Sequence, residues 1–505
     1  MAWEKELAEK KAREKLAEQM GGADKLARQH GRGKLDVRQR LDAMADVGSF
    51  REIGKIAGKA TYDENGELVD FIPSNFLFGK AKVDGRHVVL AADDFTVRGG
   101  AADAAIWRKS MLAEQMAHEW KMPIVRLIDG TGGGGSVKML EDMGLTYVPY
   151  LPGWEHVVKN LEAVPVVSLA LGSVAGLGAA RVVASHYSVM VKGLSHMFTA
   201  GPAVVSAIGE TLDKETLGGA DLHARSGAVD DIVNSESEAF EMARKFLSYL
   251  PNSVGMITPR IEPTDRVNRR DESLLEAVPE NRMAAYSMRK ILTSVFDKTS
   301  VFEMGKRWGQ SAITAFARLD GWPVAVLASD PSFMGGSWSA DASRKIDRFV
   351  KLANTFGLPV VHLVDNPGFM IGLEAEKAAT IRYGVEALNG IYTSKVPWAT
   401  VIIRKAYGVA GAAMNDHTKF QYRFAWPSGD WGSLPLEGGI EVAYKAELEA
   451  ADDPVAHLAD IRARLDKVRS PFRTAEAFLV EDIIDPRETR PLLCEFAELA
   501  QEKMA

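Results

Sequence analysis

Residues 82–100 read KVDGRHVVLAADDFTVRGG, and residues 318–336 read RLDGWPVAVLASDPSFMGG. Laid over each other at a spacing of 236 residues, from Lys82 to Arg318, the two stretches share an Asp-Gly pair, an apolar run ending in Asp, and a closing Gly-Gly. The register persists downstream, where Arg108-Lys109 falls on Arg344-Lys345 and PIVRLID (123–129) on PVVHLVD (359–365). A match at fixed spacing over dozens of residues exceeds what shared composition produces, so the chain carries an internal duplication.

Each copy reads in the same order: an apolar strand, a Gly-Gly turn, a helix with an Arg-Lys pair, a second apolar strand ending in Asp, a loop, and a Pro-led strand. Strands that are apolar throughout and separated by helical segments belong to βαβ units buried on both faces. The class is α/β, as two tandem domains. The segment from Pro251 is polar and punctuated by proline (PNSVGMITPRIEPTDRVNRR), as a connector is. The boundary is placed near Pro279, giving domains 1–278 and 279–505.

The third apolar strand of each copy ends unusually. AVPVVSLALGSVAGLGAA (163–180) and VPWATVIIRKAYGVAGAAM (396–414) both run from a Val-Pro pair into Gly and Ala. The first of these carries no charge, yet Pro165, Gly172, Gly176 and Gly178 divide it, so it reads as a strand and turn rather than a membrane span. Where a strand turns into a helix, the first helical N–H groups have no acceptor and lie at the positive end of the helix dipole. Small residues let a ligand oxygen approach them. Such a turn can act as an oxyanion hole, and because its donors are backbone groups a bulky Leu177 or Val409 is compatible with it. Gly and Ala here also suit close helix packing, but two such turns at equivalent places in a duplicated fold favour a paired function.

Composition narrows the alternatives. The net charge of −7, with acidic and basic residues mixed along the chain, gives no footprint for nucleic acid. A single cysteine, Cys494, excludes an internal disulfide and a Cys-based zinc site, which fits a reducing, cytoplasmic setting. The charged N-terminus, MAWEKELAEKKAREKLAEQMGG, lacks the apolar core of a secretory signal and reads as a surface helix. DGTGGGGS (129–136) has neither Walker nor GxGxxG spacing, and the histidines form no HExxH and no triad setting. No metal is expected.

Several segments resemble the carboxyltransferase subunits of biotin-dependent acyl-CoA carboxylases, of the propionyl-CoA carboxylase beta type. They are RGKLDVRQRLDAMADVGSF (32–50), DDFTVRGGAADAAIWRK (93–109), FTAGPAVV (198–205), ETLGGADLHARSG (215–227), RKAYGVAGAAM (404–414) and AWP (425–427). The resemblance implies two tandem crotonase-like domains. It implies transfer of a carboxyl group from carboxybiotin, borne by a separate carrier subunit, to the α-carbon of an acyl-CoA. It implies that backbone groups at Gly176, Leu177 and Gly178 supply one oxyanion hole and those at Val409 and Ala410 the other, one holding the thioester enolate oxygen and the other the biotin ureido oxygen. The implied partners are a biotin carboxylase and biotin carboxyl carrier, together with further copies of this chain in a dimer-built hexamer; nucleic acid and membrane are not expected. Gly132, Gly133 and Gly134, and Tyr407, Gly408 and Ala412, are the expected substrate and CoA contacts.

Two stretches depart from the family pattern: the glycine-rich loop after Asp129 and SGDWGSLP (428–435). At Ala412, members resembling propionyl-CoA carboxylase tend to carry an acidic residue facing the acyl tail, so alanine implies a larger or differently shaped acyl group. The alternatives are a decarboxylase or transcarboxylase using the same subunit type, and a non-catalytic acyl-CoA-binding assembly subunit. The tail from Pro454 reads as a helix with a solvated, mixed-charge face.

Overall fold

The Asp-Gly pair at the head of each repeated stretch makes a hairpin turn. Both residues take positive φ in both copies: 50° and 79° at Asp84 and Gly85, 51° and 78° at Asp320 and Gly321. That conformation matches the twist of the strands it joins. The computed structural model describes residues 3–101, 104, 106–130, 140–141 and 143–504, which divide into two compact units, Met1–Met256 and Ile257–Ala505.

In the first unit the strands are β1 (Arg51–Glu52), a separate hairpin β2 (Gly58–Tyr62) and β3 (Leu68–Pro73), then β4 (Phe76–Val83), β5 (Arg86–Asp93), β6 (Ile124–Ile128), β7 (Val166–Ala170), β8 (Ser173–Ala175), β9 (Tyr187–Val191), β10 (His196–Phe198) and β11 (Asp231–Val233). The main sheet runs β1-β4-β5-β6-β7-β9-β11, antiparallel through the β4–β5 hairpin and parallel from β5 onward. The small pair β8 and β10 lies beside it.

The second unit has β12 (Phe302–Met304), β13 (Ala312–Leu319), β14 (Trp322–Ser329), β15 (Val360–Asn366), β16 (Trp398–Tyr407), β17 (Tyr422–Ala425), β18 (Asp430–Gly432) and β19 (Asp482–Ile483). Its sheet order, β12-β13-β14-β15-β16-β17-β19, repeats the first strand for strand, with β18 added against β16. β6, β7, β13 and β15 are buried at every position, as non-alternating apolar runs require.

The repeat starts earlier than the sequence match disclosed. Asp46 accepts the N–H groups of Asp84 and Gly85 at 2.9 and 2.8 Å, and Asp297 accepts those of Asp320 and Gly321 at 3.1 and 2.8 Å. Asp46 and Asp297 are 251 residues apart, as are the ion pairs Arg38–Glu52 (3.0 Å) and Arg289–Glu303 (2.6 Å). The spacing falls to 236 past the β2–β3 hairpin of the first unit, which inserts between those two blocks.

Two expectations need correction. The units part at Met256/Ile257 rather than near Pro279. Residues after 257 already strap the second unit: the Ile261 N–H donates to the Gly321 carbonyl at 3.2 Å, Arg260 pairs with Asp320, and Leu274 is buried in the core. Polar composition marked where the chain leaves one unit, not where it begins to pack on the next. The tail is helical as read, but its last helix, Thr489–Met504, is no solvated face. Leu493, Cys494, Phe496, Ala497 and Ala500 enter the main core of the second unit, and burial pushes the Cys494 thiol up to about 12.

Candidate active site

Both small-residue turns begin on a glycine in the left-handed region: Gly176 has φ 55° and Gly408 φ 60°. An L side chain is strained there, so the sharp entry into each helix needs glycine. The two positions lie 232 residues apart, a spacing that also pairs Leu177 with Val409 and Gly178 with Ala410.

In the first unit the chain leaves β7, passes β8 and enters the helix Leu177–Val183. The Gly176 N–H donates to Phe198 O at 3.3 Å, and Ala180 N–H closes the first turn on Gly176 O at 2.9 Å. The N–H groups of Leu177 and Gly178, in that first turn, have no acceptor among the described residues. Leu177 borders a cavity of about 50 Å³ that is also lined by Trp107, Met111, Trp154, Asp93 and Arg181. Arg181, on the same helix, pairs with Asp93 at the end of β5 at 3.1 Å and lies over the Phe76 ring. Burial raises the pKa of Asp93 despite that guanidinium.

In the second unit β16 ends at Tyr407 and the helix Gly408–Ala412 follows at once. Ala413 N–H donates to Val409 O at 3.0 Å, leaving the Val409 and Ala410 N–H groups without an acceptor among the described residues. Val409 is 53 % exposed and Ala410 is buried, so the side chain at one position turns to solvent while the other packs on the core.

Sequence reasoning missed what holds these turns. Behind the first, the fully buried Asp129 at the end of β6 takes Lys34 Nζ at 2.5 Å and Arg40 at 2.9 Å. Arg40 also reaches Glu236 and donates to Leu171 O at 3.0 Å, just past β7. A Cβ on Gly172 would lie 1.8 Å from Asp129 Oδ1, so this close approach requires glycine. Behind the second turn, Asp365 accepts from Tyr286 Oη at 2.9 Å, from Arg404 at 3.0 Å and from the Lys405 N–H at 3.0 Å. Asp129 and Asp365 are the closing residues of the repeated PIVRLID and PVVHLVD; the signal was present in the duplication, but not the role.

Tyr407, expected as a substrate contact, is buried, and its hydroxyl donates to Asp430; burial first, and then this bond, raise the phenol pKa. Asp430 lies in the departing segment SGDWGSLP, which forms β18 against Lys405–Tyr407. Burial opposes its ionisation, but bonds from Arg469 and Tyr407 and the charge of Arg282 hold the carboxylate below its ordinary range. The unusual segment is therefore a brace on the end of β16. Gly408 and Ala412 lie at the two ends of the short helix, with Ala412 exposed. Gly132, Gly133 and Gly134 fall outside the described residues.

The chain beyond the second helix is fastened at Met414, whose carbonyl accepts from His362 Nδ1 at 2.9 Å, Trp398 Nε1 at 2.9 Å and Thr400 Oγ1 at 3.4 Å. Burial lowers the pKa of His362 to about 4. Unfolding restores an ordinary histidine near 6.5, so the unfolded chain binds the extra proton between these values. Stability is full above about 6.5 and falls by about 3 kcal/mol as the pH drops towards 4. Denaturant melts of wild type and His362→Gln from pH 7 to 4 check this: the variant loses that part of the slope.

Among the described residues no helix is long and apolar enough to cross a membrane. Residues 28–505 match the family described as Carboxyl transferase domain. The propionyl-CoA carboxylase carboxyltransferase subunit of Haloferax mediterranei is 33% identical over 488 residues, covering 95% of this chain and 93% of that one. The propionyl-CoA carboxylase beta chain of Roseobacter denitrificans is 30% identical over 96% of this chain and 94% of its own length. Among solved structures, the transcarboxylase 12S hexamer with methylmalonyl-CoA bound superposes with a TM-score of 0.86 at 29% identity, over 98% of this chain and 94% of that chain.

Proposed function

The chain belongs to the carboxyl transferase family, and on that premise we propose that it is the carboxyltransferase subunit of a biotin-dependent acyl-CoA carboxylase. It takes a carboxyl group from carboxybiotin and joins it to the α-carbon of an acyl-CoA. The observation that carries the reading is the pair of glycine-entered turns, each offering two backbone N–H groups with no acceptor among the described residues. A carboxyl transfer through an enolate develops negative charge on two carbonyl oxygens, the thioester oxygen and the ureido oxygen of biotin. Leu177 and Gly178 N–H stabilise one, and Val409 and Ala410 N–H the other. The nitrogen of biotin freed on release of CO2 accepts the α-proton, so the carboxyl group and the proton exchange places between the two substrates.

We assign biotin to a separate carrier chain and its carboxylation to a biotin carboxylase partner, because the relatives are themselves designated carboxyltransferase subunits. The hexameric assembly of transcarboxylase 12S supports a homo-hexamer for this chain too, and the lone buried cysteine supports a cytoplasmic setting. Similarity to a transcarboxylase favours a second reading, in which the same two turns run the transfer between other donors and acceptors.

The test uses the purified chain with free biotin as acceptor and malonyl-, methylmalonyl-, longer-chain and branched malonyl-type CoAs as donors. Transfer from at least one donor is expected. A chain that binds acyl-CoA yet transfers from none is an assembly subunit, and the proposal fails. Acyl preference has its own test at the exposed Ala412: Ala412→Asp shifts the preference by at least several-fold towards shorter acyl groups, and an unchanged chain-length profile removes Ala412 from the acyl site.

A further inference from the structure

Read along the sequence, no histidine has a triad setting; the fold assembles one from three distant segments. Ser173 opens β8 and His196 opens β10, and the two are register partners in that parallel pair. Their side chains meet, with Ser173 Oγ 3.3 Å from His196 Nδ1. At the other ring nitrogen, Glu215 Oε2 of the short helix Lys214–Gly218 lies 3.2 Å from His196 Nε2. Two glycines let that helix approach: a Cβ on Gly218 would lie 2.4 Å from Met197 O, and one on Gly219 2.5 Å from Glu215 Oε1. They belong to ETLGGADLHARSG, a segment that neither small-residue turn uses.

The directions of these bonds follow from the groups. A carboxylate only accepts, so Nε2 carries the ring proton and the bare Nδ1 accepts from the Ser173 hydroxyl. Burial is the largest influence on His196 and lowers its pKa, with Glu215 opposing. The ring is therefore neutral at neutral pH and able to take a proton. Ser195, beside His196 in sequence, has no such contact: its Oγ is bonded to the Val191 N–H at 2.7 Å and to the Val191 carbonyl at 2.9 Å.

A donor for developing charge is also present. Gly172 O accepts the His196 N–H, and the Gly176 N–H donates to Phe198 O, so β8 pairs with β10 through alternate residues that skip Ser173. The Ser173 N–H faces the edge of β8 that no strand covers and has no acceptor among the described residues, where it can meet negative charge forming beside its own Oγ. The His196 side chain is 15 % exposed and that of Glu215 52 %, so the set opens to solvent. One backbone donor and an open approach suit electrophiles with a good leaving group rather than amides.

We propose that Ser173 is an activated nucleophile, with His196 as its base and Glu215 orienting the ring, which takes acyl groups from activated esters and thioesters in a reaction separate from carboxyl transfer. Ser173 Oγ bonds to the acyl carbon as its proton passes to His196 Nδ1. The bond from that carbon to the leaving oxygen or sulfur breaks, and the proton departs with the leaving group. Water then releases the acyl group as a carboxylic acid by the same route.

Reaction of the full-length chain with diisopropyl fluorophosphate, followed by peptide mass spectrometry, tests this without any carboxyl transfer. Ser173 is labelled and Ser195 in the same sample is not. His196→Gln slows labelling of Ser173 by about 100-fold or more, as loss of a general base does. Glu215→Gln, a change at a half-exposed side chain, slows it less. With p-nitrophenyl acetate the wild type gives a burst of nitrophenolate that Ser173→Ala abolishes. An unlabelled Ser173 in the wild-type chain overturns the proposal. So does labelling at an unchanged rate in both His196→Gln and Glu215→Gln, which would leave Ser173 and His196 a cross-strand contact only.

Discussion

Val409→Pro lowers carboxyl transfer by about 100- to 1,000-fold, the usual loss when one donor of an oxyanion hole is removed. Proline deletes the N–H and nothing else that chemistry needs at this position. Its fixed φ is tolerated in the first turn of a helix, and the Val409 side chain is 53 % exposed, so no core packing is lost. Val409→Ala keeps the N–H and retains activity within a few-fold. The loss appears in kcat, because the interaction forms with the charge of the transition state. Circular dichroism and size exclusion of Val409→Pro match wild type.

Asp129→Ala produces the largest loss of stability. Lys34 and Arg40 both rest on this carboxylate, all three groups are buried, and only Arg40 keeps a second acid, Glu236. Removing one member of a buried ionic cluster costs about 3–5 kcal/mol, against a total stability of about 5–15 kcal/mol for a typical fold. Burial already lowers the pKa of Lys34, with Asp129 the main opposing influence. In the variant burial acts on Lys34 without that opposing charge, and its pKa falls further. Urea melts measure the loss of stability; Asp129→Asn, which keeps the shape, loses less.

The duplication made most of the fold legible. Two stretches at one spacing foretold two sheets of the same order, and the Gly/Ala runs located both turns to within the residue that carries the positive φ. What stayed hidden depends on contacts distant in sequence. Asp46 and Asp297 perform the same task 251 residues apart, but the inserted hairpin shifts the spacing and the flanking residues share little identity, so self-comparison lost the register. Tyr407 is expected as a substrate contact through the family resemblance alone; its bond to Asp430 depends on β18, a strand in the segment that departs from the family pattern. The terminal helix read as solvated because its charges are conspicuous in sequence, while Leu493, Phe496, Ala497 and Ala500, spaced at three and four residues, form the stripe that enters the core.

The central claim is that backbone N–H groups at both turns carry the chemistry. The most direct measurement is the initial rate of carboxyl transfer to free biotin from whichever malonyl-type CoA serves the wild-type chain as donor, with Leu177→Pro and Leu177→Ala alongside. Leu177 occupies the first helical position, where proline is best accommodated. The account predicts that Leu177→Ala keeps most of the wild-type rate while Leu177→Pro, folded and still binding acyl-CoA, falls to about one hundredth of it or less. A Leu177→Pro rate near wild type would contradict the account and place the stabilisation of the developing charge elsewhere in the molecule.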